Sequence, residues 1–137
     1  MVKFTIKGRI PSKKNSKRIV CRSFRPIVLP SEKYVEWHKD AVTQVIDQVG
    51  TLSSLSGIVT IVFYAPDNRA ADATNKSESI MDLMVDIGLI KDDSWFIING
   101  VLLFFGGVDK SNPRAEVTIY EEGEPVDISD HLHLTSK

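Results

Sequence analysis

The chain has 137 residues, 42% of them hydrophobic and 26% charged, with a net charge of −1. That length suffices for one domain with a real core, and no apolar run approaches the roughly 20 residues of a membrane-spanning helix. The single cysteine, Cys21, excludes an intrachain disulfide and a cysteine-based zinc site, so the expected setting is reducing and cytoplasmic.

Residues 2–10 alternate, with Val2, Phe4 and Ile6 on one side and Lys3, Thr5 and Lys7 on the other. Period two predicts a strand with one wet face, and it lacks the continuous apolar run of a signal peptide. Pro11 ends it, because proline cannot continue a ladder. Residues 12–25 carry six basic residues and no acid. Lys13, Lys14, Asn15, Lys17 and Arg18 are candidate phosphate contacts in a predicted loop, since serine and asparagine between cations add neutral donors. Residues 26–30 read as a short extended piece.

Ser31 is a predicted N-cap, with Glu32 in the first turn. From Tyr34 to Val49 apolar residues recur at three- and four-residue steps, which predicts an amphipathic helix stopped by Gly50. His38 falls at its boundary, with no second histidine or cysteine one turn away. Ile58–Ala65 is β-branched and aromatic, and reads as a central strand. The loop leaving it contains Arg69, a further candidate nucleic-acid contact.

A helix follows, from about Asp72 to Ile87. At about 100° per residue, Ile80, Leu83 and Met84 share its apolar side. Asn75, Glu78, Asp82 and Asp86 fall within an arc of about 80° opposite them. Glu78 and Asp82 are stacked four apart, where like charges repel by a few tenths of a kcal/mol. A divalent cation would remove that repulsion. Asp72, Glu78, Asp82, Asp92 and Asp93 are candidates for one metal site, and carboxylates meeting without histidine or cysteine suit Mg²⁺ or Mn²⁺. Asp72 as a plain helix cap is the competing reading. Lys76, off the acidic arc, is a candidate contact for a phosphate or for transition-state charge.

Trp95–Phe105 is strongly β-forming, interrupted at Asn99-Gly100 by a hairpin turn or a bulge. Residues 106–113 read as a loop, 114–120 as a strand, and 121–137 as a loosely ordered tail. The expected fold is α+β: a single domain over residues 1–120, with two main helices on one face of a mixed sheet in the order β-α-β-α-β-β.

Charge is unevenly placed along this order. Residues 1–40 hold 11 of the 17 Lys and Arg, while residues 72–137 hold 13 of the 18 acids. The split suggests one surface for a polyanion and another for a cation.

Pro11-Ser-Lys-Lys-Asn15, Asp72-Ala-Thr-Asn75-Lys76-Ser-Glu78, Asp82, Gly88, Asp92 and Asp93 together resemble the RusA family of Holliday junction resolvases, common in phages and prophages. The resemblance spans about residues 4–120. Thr74 stands where that family has its second catalytic aspartate, and Glu78 where it has lysine. Glu78 and Lys76 are therefore candidate replacements for the missing carboxylate and cation. The resemblance moves the expected metal site to Asp72, Asp82 and Asp93, with Glu78 as a further ligand, and leaves Asp86 at the surface. Asp72, Lys76 and Asp93 become the expected catalytic residues. The implied activity is Mg²⁺-dependent cleavage of four-way DNA junctions by paired nicks, in recombination and repair. Paired nicks imply a symmetric homodimer. The alternatives are a nuclease for forks or flaps, and a nucleic-acid-binding protein without catalysis.

Overall fold

The computed structural model describes residues 1–13, 17–50 and 54–131. The strands are β1 (Val2–Lys7), β2 (Lys17–Arg22), β3 (Arg25–Pro30), β4 (Gly57–Ala65), β5 (Ile98–Val108) and β6 (Arg114–Glu121). The helices are α1 (Glu32–Val49), α2 (Ala73–Asp86) and a 3₁₀ turn at Ser129–His131. The fold is α+β. Four strands form a mixed sheet in the order β1-β6-β4-β5, and β2 and β3 form a separate hairpin. β4 and β5 are parallel, so the chain must cross between them, and α2 lies in that crossover. β6 is antiparallel to both β4 and β1.

One face of the sheet is the core. Phe4 and Ile6 of β1, Val59 and Ile61 of β4, and Val117 and Ile119 of β6 are buried there. They pack in one cluster with Ala41 and Val45 of α1 and Ile80, Leu83 and Met84 of α2. Both helices thus bury their apolar stripes in the same core. Residues 122–131, after β6, are held at three points: Glu124 pairs with the N-terminal amine, Tyr120 donates to the Asp127 carbonyl, and His131 stacks on Phe104. Residues 132–137 lie outside the described residues. No helix of the described chain is long and apolar enough to cross a membrane.

Local chemistry explains the helix ends. Ser31 accepts a bond from the Tyr34 amide, and Gly50, at φ 69°, returns its amide to the Ile46 carbonyl. Gly57 is demanded by packing and by its φ of 138°: a Cβ there would stand 1.9 Å from the Tyr120 carbonyl oxygen.

One expectation needs correction, and one open alternative is decided. The basic stretch does not remain a loop, because residues 17–22 pair with 25–30 in register around a Ser23-Phe24 turn. Both turn residues have positive φ, as a two-residue type I′ turn requires. Ile19-Val20-Cys21 is a short apolar run without alternation, and the cations around it hid the strand. The chain around Asn99-Gly100 also continues as one strand. Gly57 pairs with Ile98 and Ile58 with Gly100, so Asn99 is a bulge residue and not part of a hairpin turn. Trp95 and Phe96 precede the strand, in a turn, and are 79% and 82% exposed.

Candidate functional site

Buried polar contacts set the geometry around α2. Ser79, fully buried on the apolar side of the helix, donates to the Pro11 carbonyl at 2.7 Å. Half-buried Lys76 donates to the Ile10 carbonyl. These two bonds pin the segment after β1 across α2. Lys13 is thereby laid over the helix, where its ammonium lies 2.9 Å from the Asp82 carboxylate. The other Asp82 oxygen accepts from Tyr34 of α1 at 3.3 Å. Burial first, then the Asp82 charge, pushes the Tyr34 hydroxyl pKa up to about 12.

A groove of about 510 Å³ opens beside this contact. Glu78, Asp82 and Val85 of α2 form one wall, Asp92 and Asp93 enter from the turn after the helix, and Lys13 and Lys17 complete the lining. Gly88, at φ 75°, ends α2 and lets the chain return. Asp92 then accepts from the Ser94 amide at 2.8 Å. Hydrogen bonding to Ser94 holds its carboxyl below the usual range.

The structure thus brings Glu78, Asp82, Asp92 and Asp93 into one groove, with Lys13 and Lys17. Asp72 and Lys76 do not line it. Asp72 caps α2, accepting from the Thr74 amide at 3.0 Å and from the Thr74 hydroxyl at 2.6 Å. Thr74, in the position of the expected second aspartate, is therefore a donor to Asp72. Lys76 faces the other side of α2, toward Arg9 and Asp67. Burial, and then the Arg9 charge, lower its pKa. Arg69 lies on that side too and chelates Asp67 through Nε and a terminal nitrogen, at 3.2 and 3.0 Å. Arg18, on the hairpin, pairs with Glu32 at 2.9 Å. Lys14 and Asn15 lie outside the described residues.

No protein-family model matches the chain, and no curated protein matches it.

The α1–α2 contact contains a grouping that sequence reasoning missed. His38 Nε2 lies 2.8 Å from an Asp86 oxygen. Among the described residues, His38, Asp82 and Asp86 each offer a ligand-type atom within 4.8 Å of the others. The available signal was a pair of matched spacings. Tyr34 and His38 are four apart on α1, as are Asp82 and Asp86 on α2, so two polar pairs meet where the helices pack. Periodicity within each helix cannot show that they face one another. Glu78 and Asp93 share the groove with Asp82 but do not belong to this close set.

Proposed function

We propose that the protein is a metal-dependent endodeoxyribonuclease acting on branched DNA, with the four-way junction as its principal substrate and a homodimer as the working unit. The observation that carries this reading is the groove lined by Glu78, Asp82, Asp92 and Asp93 together with Lys13 and Lys17. An anionic floor with cations at its edge can hold a divalent ion and a phosphodiester together.

The donor chemistry fits Mg²⁺ or Mn²⁺, because the groove offers carboxylate oxygens from two segments without histidine or cysteine. Among the described residues, Asp82 groups within 4.8 Å with His38 and Asp86, while Glu78, Asp92 and Asp93 line the groove beside it and would have to swing inward to hold the same ion. When bound, such an ion activates water and stabilises charge on phosphoryl oxygens. The chain's own groups have separate tasks. Lys13 pairs with Asp82, and its ammonium at the groove's edge can neutralise a phosphate oxygen. Tyr34 orients the other Asp82 oxygen. Lys17, Arg18 and Arg25 lie on the two hairpin strands, whose 12 residues contain no acid, and they extend the cationic surface outward from Lys17 at the groove. Such contacts bind backbone and select by shape more than by base sequence.

The test is cleavage of a synthetic four-way junction with Mg²⁺, resolved strand by strand. Paired, symmetric nicks that disappear in Glu78→Gln and Asp82→Asn are the expected result. Binding without cleavage in either Mg²⁺ or Mn²⁺ would leave the nucleic-acid-binding reading in its place. Preferential cutting of forks or flaps would change the substrate within the same chemistry.

A further inference from the structure

The other side of α2 borders a second cavity, of about 450 Å³. That is within the size range of small-molecule sites. It lies at the end of β4, and Ala73 and Lys76 are the α2 residues lining it. It shares no lining residue with the acidic groove.

Two features define what it can hold. The first is charge. Arg9, Arg69 and Lys76 line it together with Asp67, which accepts from both arginines. Lys76 donates to a neutral carbonyl. Three cations against one carboxylate leave an excess of two positive charges in this set. Arg114 is matched separately, by Asp109 and Glu116.

The second feature is flat apolar surface. Phe105 lines the cavity and is 70% exposed on the edge strand. Tyr64 forms another wall and is held rigidly. The Arg114 guanidinium sits 3.8 Å from its ring centroid, and a Cβ at Gly106 would come within 2.6 Å of the ring. An occupant that satisfies both features is planar at one end and anionic at the other.

We propose that this cavity binds a nucleotide whose base is unpaired, the base stacking on Phe105 and its 5′-phosphate meeting Arg9, Arg69 and Lys76. Base–aromatic stacking tolerates any base, and the arginine forks match phosphate oxygens. The choice of a nucleotide over other aromatic anions rests on the nuclease reading; the charge and shape of the cavity do not. The nucleotide has two sources, free in solution or at an unpaired strand end of a DNA.

The experiment titrates the metal-free protein with deoxyadenosine 5′-monophosphate, followed by amide NMR. It also titrates, by fluorescence anisotropy, a duplex with a 5′-phosphorylated overhang and the same duplex blunt-ended. Ala71→Trp fills the cavity from an exposed loop position, and Phe105→Ala removes the stacking surface. Thermal melting checks that both variants fold, and Phe105→Ala decides the matter if Ala71→Trp does not. The expected result is saturable shifts at residues 63–73 and 104–108, with affinity roughly tenfold weaker in the variants, as loss of one stacked base predicts. Tighter binding of the overhang than of the mononucleotide assigns the site to a strand end, and equal binding assigns it to the free nucleotide. Shifts confined to residues 17–30, or variants that bind as wild type does, overturn the proposal. Junction cleavage by wild type alongside that negative result would leave the nuclease reading standing. Nucleotide binding here without junction cleavage would do the reverse.

Discussion

The two sides of α2 are built from adjacent residues and do opposite things. Ser77, Glu78, Met81, Asp82 and Val85 face a groove rich in carboxylates. Ala73 and Lys76 face a cavity with excess positive charge and aromatic walls. Lys76 and Glu78 are two apart in sequence, hence about 200° apart around the helix. A residue can replace another's function only if it reaches the same space. Glu78 enters the groove, and the cations that line it are Lys17 and Lys13, the latter brought by the segment that Ser79 and Lys76 tether.

The largest expected effect separates the two sides by activity. Asp82→Asn should reduce Mg²⁺-dependent junction cleavage by more than the roughly 10–100-fold that loss of an outer partner to a metal ligand costs. Steady-state cleavage rates measure this, and near-wild-type rates would remove the groove from the chemistry.

The next comparison is between the two lysines. Lys76→Met breaks a half-buried bond to a carbonyl, and should cost about 1–2 kcal/mol of stability in denaturant titration. Lys13→Met breaks a partly exposed ion pair worth ~0–1 kcal/mol, yet should slow cleavage more than Lys76→Met does. The opposite ranking in cleavage would put Lys76 back at the reacting phosphate.

Ser79→Ala tests the tether itself. Loss of its bond leaves the part-buried Pro11 carbonyl without this donor, and about 1–2 kcal/mol of destabilisation is expected. Cleavage should fall as well, because Lys13 is no longer held over Asp82. A stability loss with unchanged cleavage would separate the tether from the site.

The smallest effect is one of pH. Hydrogen bonds from the Arg69 side chain and amide, and then from Arg9, lower the Asp67 pKa from 3.8 to about 2. A depressed carboxyl stabilises the fold above its unfolded pKa, so this contribution is intact above about pH 3.8 and is lost as the pH falls through about 2. Asp67→Asn should flatten the acid limb of stability against pH in that window. It should leave the neutral-pH dependence of cleavage in place, since Asp67 lies outside the groove.

Much of the fold was legible from local rules. Ser31 and Gly50 bound α1 as their chemistry predicts, and Asp72 and Gly88 bracket α2. The alternation in β1 and the apolar run of β4 specify strands because side-chain period and burial are properties of the segment alone. The hairpin was hidden because its apolar runs do not alternate and are flanked by cations, and Asn99-Gly100 stayed open between a turn and a bulge because both use the same residue pair.

For the candidate site, the sequence by itself determined the acidic face of α2 and the acidic turn that follows it. Three- and four-residue spacing puts Glu78 and Asp82 on one side of any helix they form. It also determined that Lys76 points away from them. What only the tertiary structure decided is which distant groups meet that face. Lys13 at Asp82, Tyr34 and His38 across from Asp82 and Asp86, and Arg9 beside Lys76 are contacts between segments far apart in the chain. Local periodicity carries no information about such pairs. They depend on where β1 ends, on the two carbonyls that Lys76 and Ser79 capture, and on how α1 and α2 share one core.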